Sequence, residues 1–197
     1  MNIIKKSLTP YDKGSNCSSV MKQNKNWRYD AIAKLLHWLM ALLLIGLICL
    51  GWYMMSIADE PHSGWYFNLH KSFGIIAALL IFFRLIWRLT HKPAPLPTTV
   101  PYWQALSSRA IHLLLYFFML VMPITGFMGS SFGTHGVVFF GVTLPNWVVQ
   151  NAALSERFFN AHEVIAWILV GLITLHIMAA LKHFLINKDQ VFQRMWL

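Results

Sequence analysis

Four apolar runs, each long enough to cross a bilayer, limit this chain to a bundle of membrane helices. They lie at roughly 35–55, 69–89, 111–128 and 164–186, and a helix of about 20 residues spans the hydrocarbon. Backbone exposed to lipid must satisfy its own hydrogen bonds, so the spans are helical. Composition agrees. The chain is 57% hydrophobic and 12% charged, about half the charge of a typical soluble domain. The net charge of +9 does not indicate nucleic acid, because the basic residues flank the apolar runs and form no continuous face. The expected fold is all-α, an integral membrane four-helix bundle over 29–197 with the lipid bilayer as its solvent. A polar, basic tail over 1–28 precedes it and is expected to be disordered. The tail is not expected to act as a signal peptide, since the apolar run after it is of full span length. No length remains for a second folded domain.

Lysine and arginine set the orientation. The tail side carries Lys5, Lys6, Lys13, Lys22, Lys25, Arg28 and Lys34, the connection between spans two and three carries Arg84, Arg88, Lys92 and Arg109, and the C-terminal end carries Lys182, Lys188 and Arg194. The opposite side has only Lys71 and Arg157. Fourteen against two places both termini in the cytoplasm. Trp38, Trp52, Trp65, Trp87 and Trp103 fall near the expected interfaces. The Pro-rich segment 92–104 reads as a stiff cytoplasmic loop. Segment 129–160 is the longest outer stretch, and its run FFGVTLP is expected to fold back on the bundle as a lid or an interfacial turn. Pro123 should kink span three. Cys17 and Cys49 read as unrelated free thiols, and the absence of C-x-x-C-H excludes covalent c-type haem attachment.

Ionisable groups inside a span are costly and point to function. Of nine histidines, His62, His91 and His135 fall in loops, while His37, His70, His112, His162, His176 and His183 fall in or beside spans. Alternating span direction sorts them by depth. His37 and His176 come near the cytoplasmic face, and His70 and His162 near the outer face. His176 lies about 21 Å further along its helix than His162, at about 1.5 Å per residue. Two pairs at two depths are what a helix bundle needs to ligate haem b between imidazoles. Each of the four has a small residue four positions on, Ala41, Gly74, Ala166 and Ala180, where a porphyrin would lie against the helix. His112 has Tyr116 there, which would obstruct the plane, so His112 is expected to contact the cofactor or a quinone without ligating iron. Zinc is the alternative metal, but it usually takes four close ligands. A packing or proton-relay role is the alternative for any single histidine.

The segments LLHWLM at 35–40, NLHKSFGI at 68–75, IHLLLY followed by MPITG in span three, and AHEVIAWILVGLITLH at 161–176 resemble the bacterial cytochrome b561 family. The resemblance covers roughly 28–197, and the thirteen residues between His162 and His176 are its most specific spacing. It implies two haems b, iron ligation by His37, His70, His162 and His176, and residence in the bacterial inner membrane. It further implies superoxide oxidase activity, in which superoxide is oxidised to oxygen and its electron passes to ubiquinone. The longer basic tail departs from the short bacterial form. A more distant resemblance is to the haem b subunits that anchor hydrogenases and formate dehydrogenases to the quinone pool, and a haem or redox sensor without enzymatic activity is a third possibility. A transporter would show paired charges at mid-membrane, and Arg84 alone lies well inside a span. The candidates for handling an anionic one-electron donor are Lys71, Arg157 and Glu163. Lys71 and Arg157 lie outside near positive helix ends, and Glu163 stands beside His162 as a proton relay or a helix-start carboxylate. Asp59, Glu60, Glu156 and Glu163 make the outer side acidic by count, which argues against broad steering of an anion.

Overall fold

The computed structural model describes residues 28–92, 100–189 and 191–196. Nearly all of the tail, Cys17 and most of the Pro-rich loop therefore lie outside the described residues. The first helix, α1 (Ala31–Ser56), starts where the Asp30 carboxylate accepts the Ala33 N–H at 2.7 Å, satisfying a donor that has no partner in the first turn. Then come α2 (Ser63–Thr90), α3 (Tyr102–Phe132), a hairpin of β1 (Val138–Phe139) and β2 (Val142–Thr143), and α4 (Ala152–Lys182). Asn151 caps α4 by accepting the Leu154 N–H. A π turn at His183–Asn187 prolongs α4.

All four helices are long and apolar enough to cross a membrane. Large side chains such as Leu42, Phe83 and Leu113 face outward, as lipid solvation permits. Every helix outruns its expected span, because polar residues at the ends continue the helical hydrogen bonding. His70 and His162 consequently lie about two and three turns inside α2 and α4, and not at the first residues of their helices. Helix α3 passes through Pro123 without ending.

The close-packed neighbours are α1 with α2, α2 with α3, and α3 with α4. The α3–α4 contact rests on small residues. A Cβ on Gly129 would come within 2.9 Å of the Phe159 ring, and the Ser155 hydroxyl donates to the Gly129 carbonyl at 2.8 Å. Glycine lets the backbones approach at such a crossing. At the end that carries the chain termini, Trp38 donates to the Met195 carbonyl and Trp87 to the Asp30 carboxylate. These two indoles, expected as interface anchors, tie the bundle end together.

At the opposite end the apolar run after α3 does fold back. Phe140 and Gly141 both have positive φ, +45° and +88°, the geometry of a two-residue hairpin turn whose twist matches its strands. Ser72, almost fully buried on α2, accepts the Phe140 N–H at 2.8 Å and donates to the Asn68 carbonyl at 2.7 Å. The Phe140 ring meets Phe73 edge to face. The hairpin is thus fastened to α2 beside His70.

Candidate cofactor site

The histidines expected to pair stand together. The rings of His37 on α1 and His176 on α4 have centroids 6.2 Å apart, and those of His70 on α2 and His162 on α4 are 6.3 Å apart. A metal–imidazole bond of about 2.0–2.1 Å, with roughly 1.2 Å more to each ring centre, sets two imidazoles on opposite sides of one metal about 6.4 Å apart. Both pairs fit that span. Two ligands from facing helices suit a planar macrocycle that supplies the other four. Among the described residues no group of three His, Cys, Asp or Glu side chains converges as zinc would require.

Glycines seat the second pair. A Cβ on Gly126 of α3 would lie 2.9 Å from Cε1 of His162, and one on Gly51 of α1 would lie 3.4 Å from Cε1 of His70. His162 Nδ1 donates to the Met122 carbonyl at 3.0 Å, with the Thr125 hydroxyl at 3.2 Å. That bond fixes the proton on Nδ1 and leaves Nε2 its lone pair, the arrangement a metal-bound histidine uses. His70 Nδ1 is buried with no hydrogen-bond partner, and a buried polar atom calls for one. Gly74, one turn after His70, has no atom within 4 Å of where a Cβ would stand, so the helix surface there is open as the porphyrin argument requires.

The first pair has company. His112 on α3 lies 5.2 Å from His176, and its Nδ1 donates to the Ser108 carbonyl at 2.7 Å. Tyr116, one turn after His112, engages the arginines of α2. Its hydroxyl accepts from Arg84 Nε at 3.2 Å, and Arg84 Nη2 is 2.9 Å from His37 Nδ1. At 5.2 Å, His112 and His176 are too close to be opposite ligands of one metal by the same arithmetic. His183, at the exit of α4, is taken by Asp189. Burial would raise the Asp189 pKa, but hydrogen bonds from His183 and from the Val191 N–H outweigh it and hold this carboxylate below its usual range.

The donor-handling candidates are scattered. Lys71 is half-buried and its amine donates to the Gly136 carbonyl at 3.0 Å, so it also braces the hairpin loop. Arg157 and Glu163 are exposed on α4. Glycine seating, the Lys71 brace and the Arg84 contact were missed in the sequence. The lone arginine inside a span was their one visible signal.

A family model described as prokaryotic cytochrome b561 matches residues 28–197. The chain belongs to the prokaryotic cytochrome b561 family. It is 33% identical to cytochrome b561 homolog 2 of Escherichia coli (strain K12) over 173 residues, covering 85% of this chain and 90% of that protein. It is 30% identical to cytochrome b561 homolog 1 of the same organism, covering 64% of this chain and 72% of that one. A probable superoxide oxidase CybB of Yersinia pestis is 27% identical over 177 residues, covering 85% of this chain and 95% of that protein. As a member of the cytochrome b561 family, the chain is a haem b-binding membrane protein of electron transport.

Proposed function

We propose that this cytochrome holds two haems b, one between His70 and His162 and one between His37 and His176. It passes electrons from superoxide at the hairpin end to ubiquinone in the membrane. The observation that carries this is the pair of ring separations, 6.2 and 6.3 Å, at two levels of α4. Bound haem supplies reversible one-electron storage, and two such groups match the two electrons a quinone needs. Two superoxide ions give two oxygen molecules and two electrons, and quinone with those electrons and two protons gives quinol. The protein's part is to hold, space and polarise. Met122 fixes the tautomer of His162, and Gly51 and Gly126 admit the two rings. With the basic end inside, the hairpin end is the outer one. Lys71, which follows His70 in the chain, is then a cation on the outer side, and the relative named as a probable superoxide oxidase supports an anionic donor there.

Purified protein exposed to a superoxide source is expected to show reduced b-type bands, which decay when ubiquinone is added. Lys71→Glu slows that reduction severalfold, and the defect shrinks as salt screens the charge. Lys71→Gln, which keeps a donor toward Gly136, has a smaller effect. A neutral reductant is affected by neither. Equal slowing with both donors would make Lys71 a brace alone. No reduction by superoxide would move the function to an anchor subunit fed by a soluble dehydrogenase, with the haem sites unchanged.

His112→Ala is expected to keep both haems, since its 5.2 Å approach to His176 excludes opposite ligation. Pyridine haemochrome analysis against protein mass checks this. A drop from two haems to one would put His112 in place of His37 or His176.

A further inference from the structure

Arg84 lies on α2 six residues before its end, well within a membrane-length helix. A guanidinium stays charged in proteins, and a charge inside a span is retained at a cost that marks function. Its Nη2 is 2.9 Å from His37 Nδ1 and its Nε donates to the Tyr116 hydroxyl. Its Nη1 is buried with no hydrogen-bond partner. Among the described residues no carboxylate lies within ion-pair distance of it. Arg88 adds a second cation 5.7 Å from the Tyr116 ring centre. Both arginines line a small cavity with Tyr29, Ala33, Trp87 and His91, and the Asp30 carboxylate stands at its rim, where it accepts from the Trp87 indole. At the other level, among the described residues, His70 and His162 touch no charged group. Lys71, next to His70 in the chain, donates to the Gly136 carbonyl instead of to either ring, and the hydrogen bonds of His162 go to Thr125 and the Met122 carbonyl.

This asymmetry has an electrostatic consequence. Reduction lowers the charge at a centre by one, and a fixed cation beside it favours the reduced state. The effect is large where little solvent screens it. We infer, resting on the two-haem reading above, that Arg84 is a positioning residue that raises the reduction potential of the His37–His176 centre above that of the His70–His162 centre. One electron therefore moves from the hairpin end to the termini end in a favourable direction. It leaves one centre and arrives at the other, with no bond made or broken and no proton transferred. Ligation through Nε2 places the His37 proton on Nδ1, where the guanidinium cannot donate to it. Its Nη2 then gives up that contact, and the Nε bond to the Tyr116 hydroxyl at 3.2 Å, which does not involve His37, still holds the cation beside the ring.

The test is a spectroelectrochemical titration of the holoprotein, with both haems counted first. Arg84→Gln is expected to shift the electron distribution between the two centres at least tenfold toward the His70–His162 centre. For one electron that is a fall of about 59 mV in one potential, the other being unchanged. Arg84→Lys, which keeps the charge, restores most of it. Where Arg84→Gln costs the protein a haem, Ala33→Glu serves instead. It brings a carboxylate into the same cavity, leaves Arg84 and every histidine in place, and lowers the same potential. Two bound haems with unshifted potentials, or with potentials that fall equally, overturn the inference. A haem count of one in the unaltered protein overturns the two-haem reading instead, so the two failures are distinguishable.

Discussion

On the two-haem proposal, alanine at His70 or at His162 is expected to remove the same haem, leaving one per chain and identical residual spectra. Alanine at His37 or at His176 removes the other. The expected effect is large because, on the two-haem proposal, each centre would have only two protein ligands. Losing one would leave the partner imidazole as the only side chain able to hold the iron. The four variants should fall into two spectral classes, His70 with His162 and His37 with His176. The classes follow from ring separations of 6.3 and 6.2 Å, and they hold whichever way the protein sits in the membrane. Pyridine haemochrome counts with low-temperature spectra of the α bands check this. Different residual spectra for His70→Ala and His162→Ala would break the pairing.

Leucine at Gly126 and leucine at Gly74 should both cost the haem of the His70–His162 centre, for different reasons. At Gly126 a Cβ alone would stand 2.9 Å from His162 Cε1 and 3.0 Å from Nδ1. The His162 ring is held by the Met122 carbonyl, so α3 and α4 must part or the ring must leave its bond. Overpacking of this kind costs about 1–3 kcal/mol, so the bundle itself is weakened. At Gly74 a Cβ meets no protein atom within 4 Å. Leucine there leaves the haem-free bundle as stable as before and obstructs only the porphyrin. Thermal melts of the haem-free proteins, beside haem counts of the loaded ones, separate the two. A Gly126→Leu protein with full haem and an unchanged melt would show that the α3–α4 crossing is looser than its geometry implies.

What the sequence disclosed and what it withheld divide along physical lines. The four spans were legible because membrane length is a property of composition along the chain, which a run such as 164–186 displays directly. Their ends were not, since Ser63 to Asn68 and Ala152 to Ala161 are polar enough to look like loop yet continue α2 and α4. The expected pairs share depth because span direction alternates, and the rings do meet at those depths. Rotation about each helix axis was not legible. These spans are apolar on nearly every face, so no polar stripe shows which side turns inward. For that reason the seating of His70 on Gly51 and of His162 on Gly126 was hidden. So was the approach of His112 to His176. Arg84 was visible as an intramembrane charge, but its contact with His37 depends on α1 and α2 facing each other at one particular angle. The fold-back of the 129–160 segment was legible in its apolar run. Its fastening to Ser72, and the engagement of Lys71 with Gly136, depend on backbone atoms that no residue pattern encodes.

Helix α4 carries one histidine of each pair. The fourteen positions from His162 to His176 make about 3.9 turns, so both rings leave nearly the same face of one unbroken helix. On the two-haem proposal, the separation of the two metal positions would be a matter of helical pitch along a single rod. Electron tunnelling falls off exponentially with distance, and a gap set by contacts between separate helices would widen and narrow with every rocking motion of the bundle. With two centres held this way, a shift of α1 or α2 against α4 would change the tilt or grip of one centre, while the path length for the electron would stay close to constant. On the two-haem proposal, the transfer rate between the centres would in this way be insulated from the softness of the surrounding lipid.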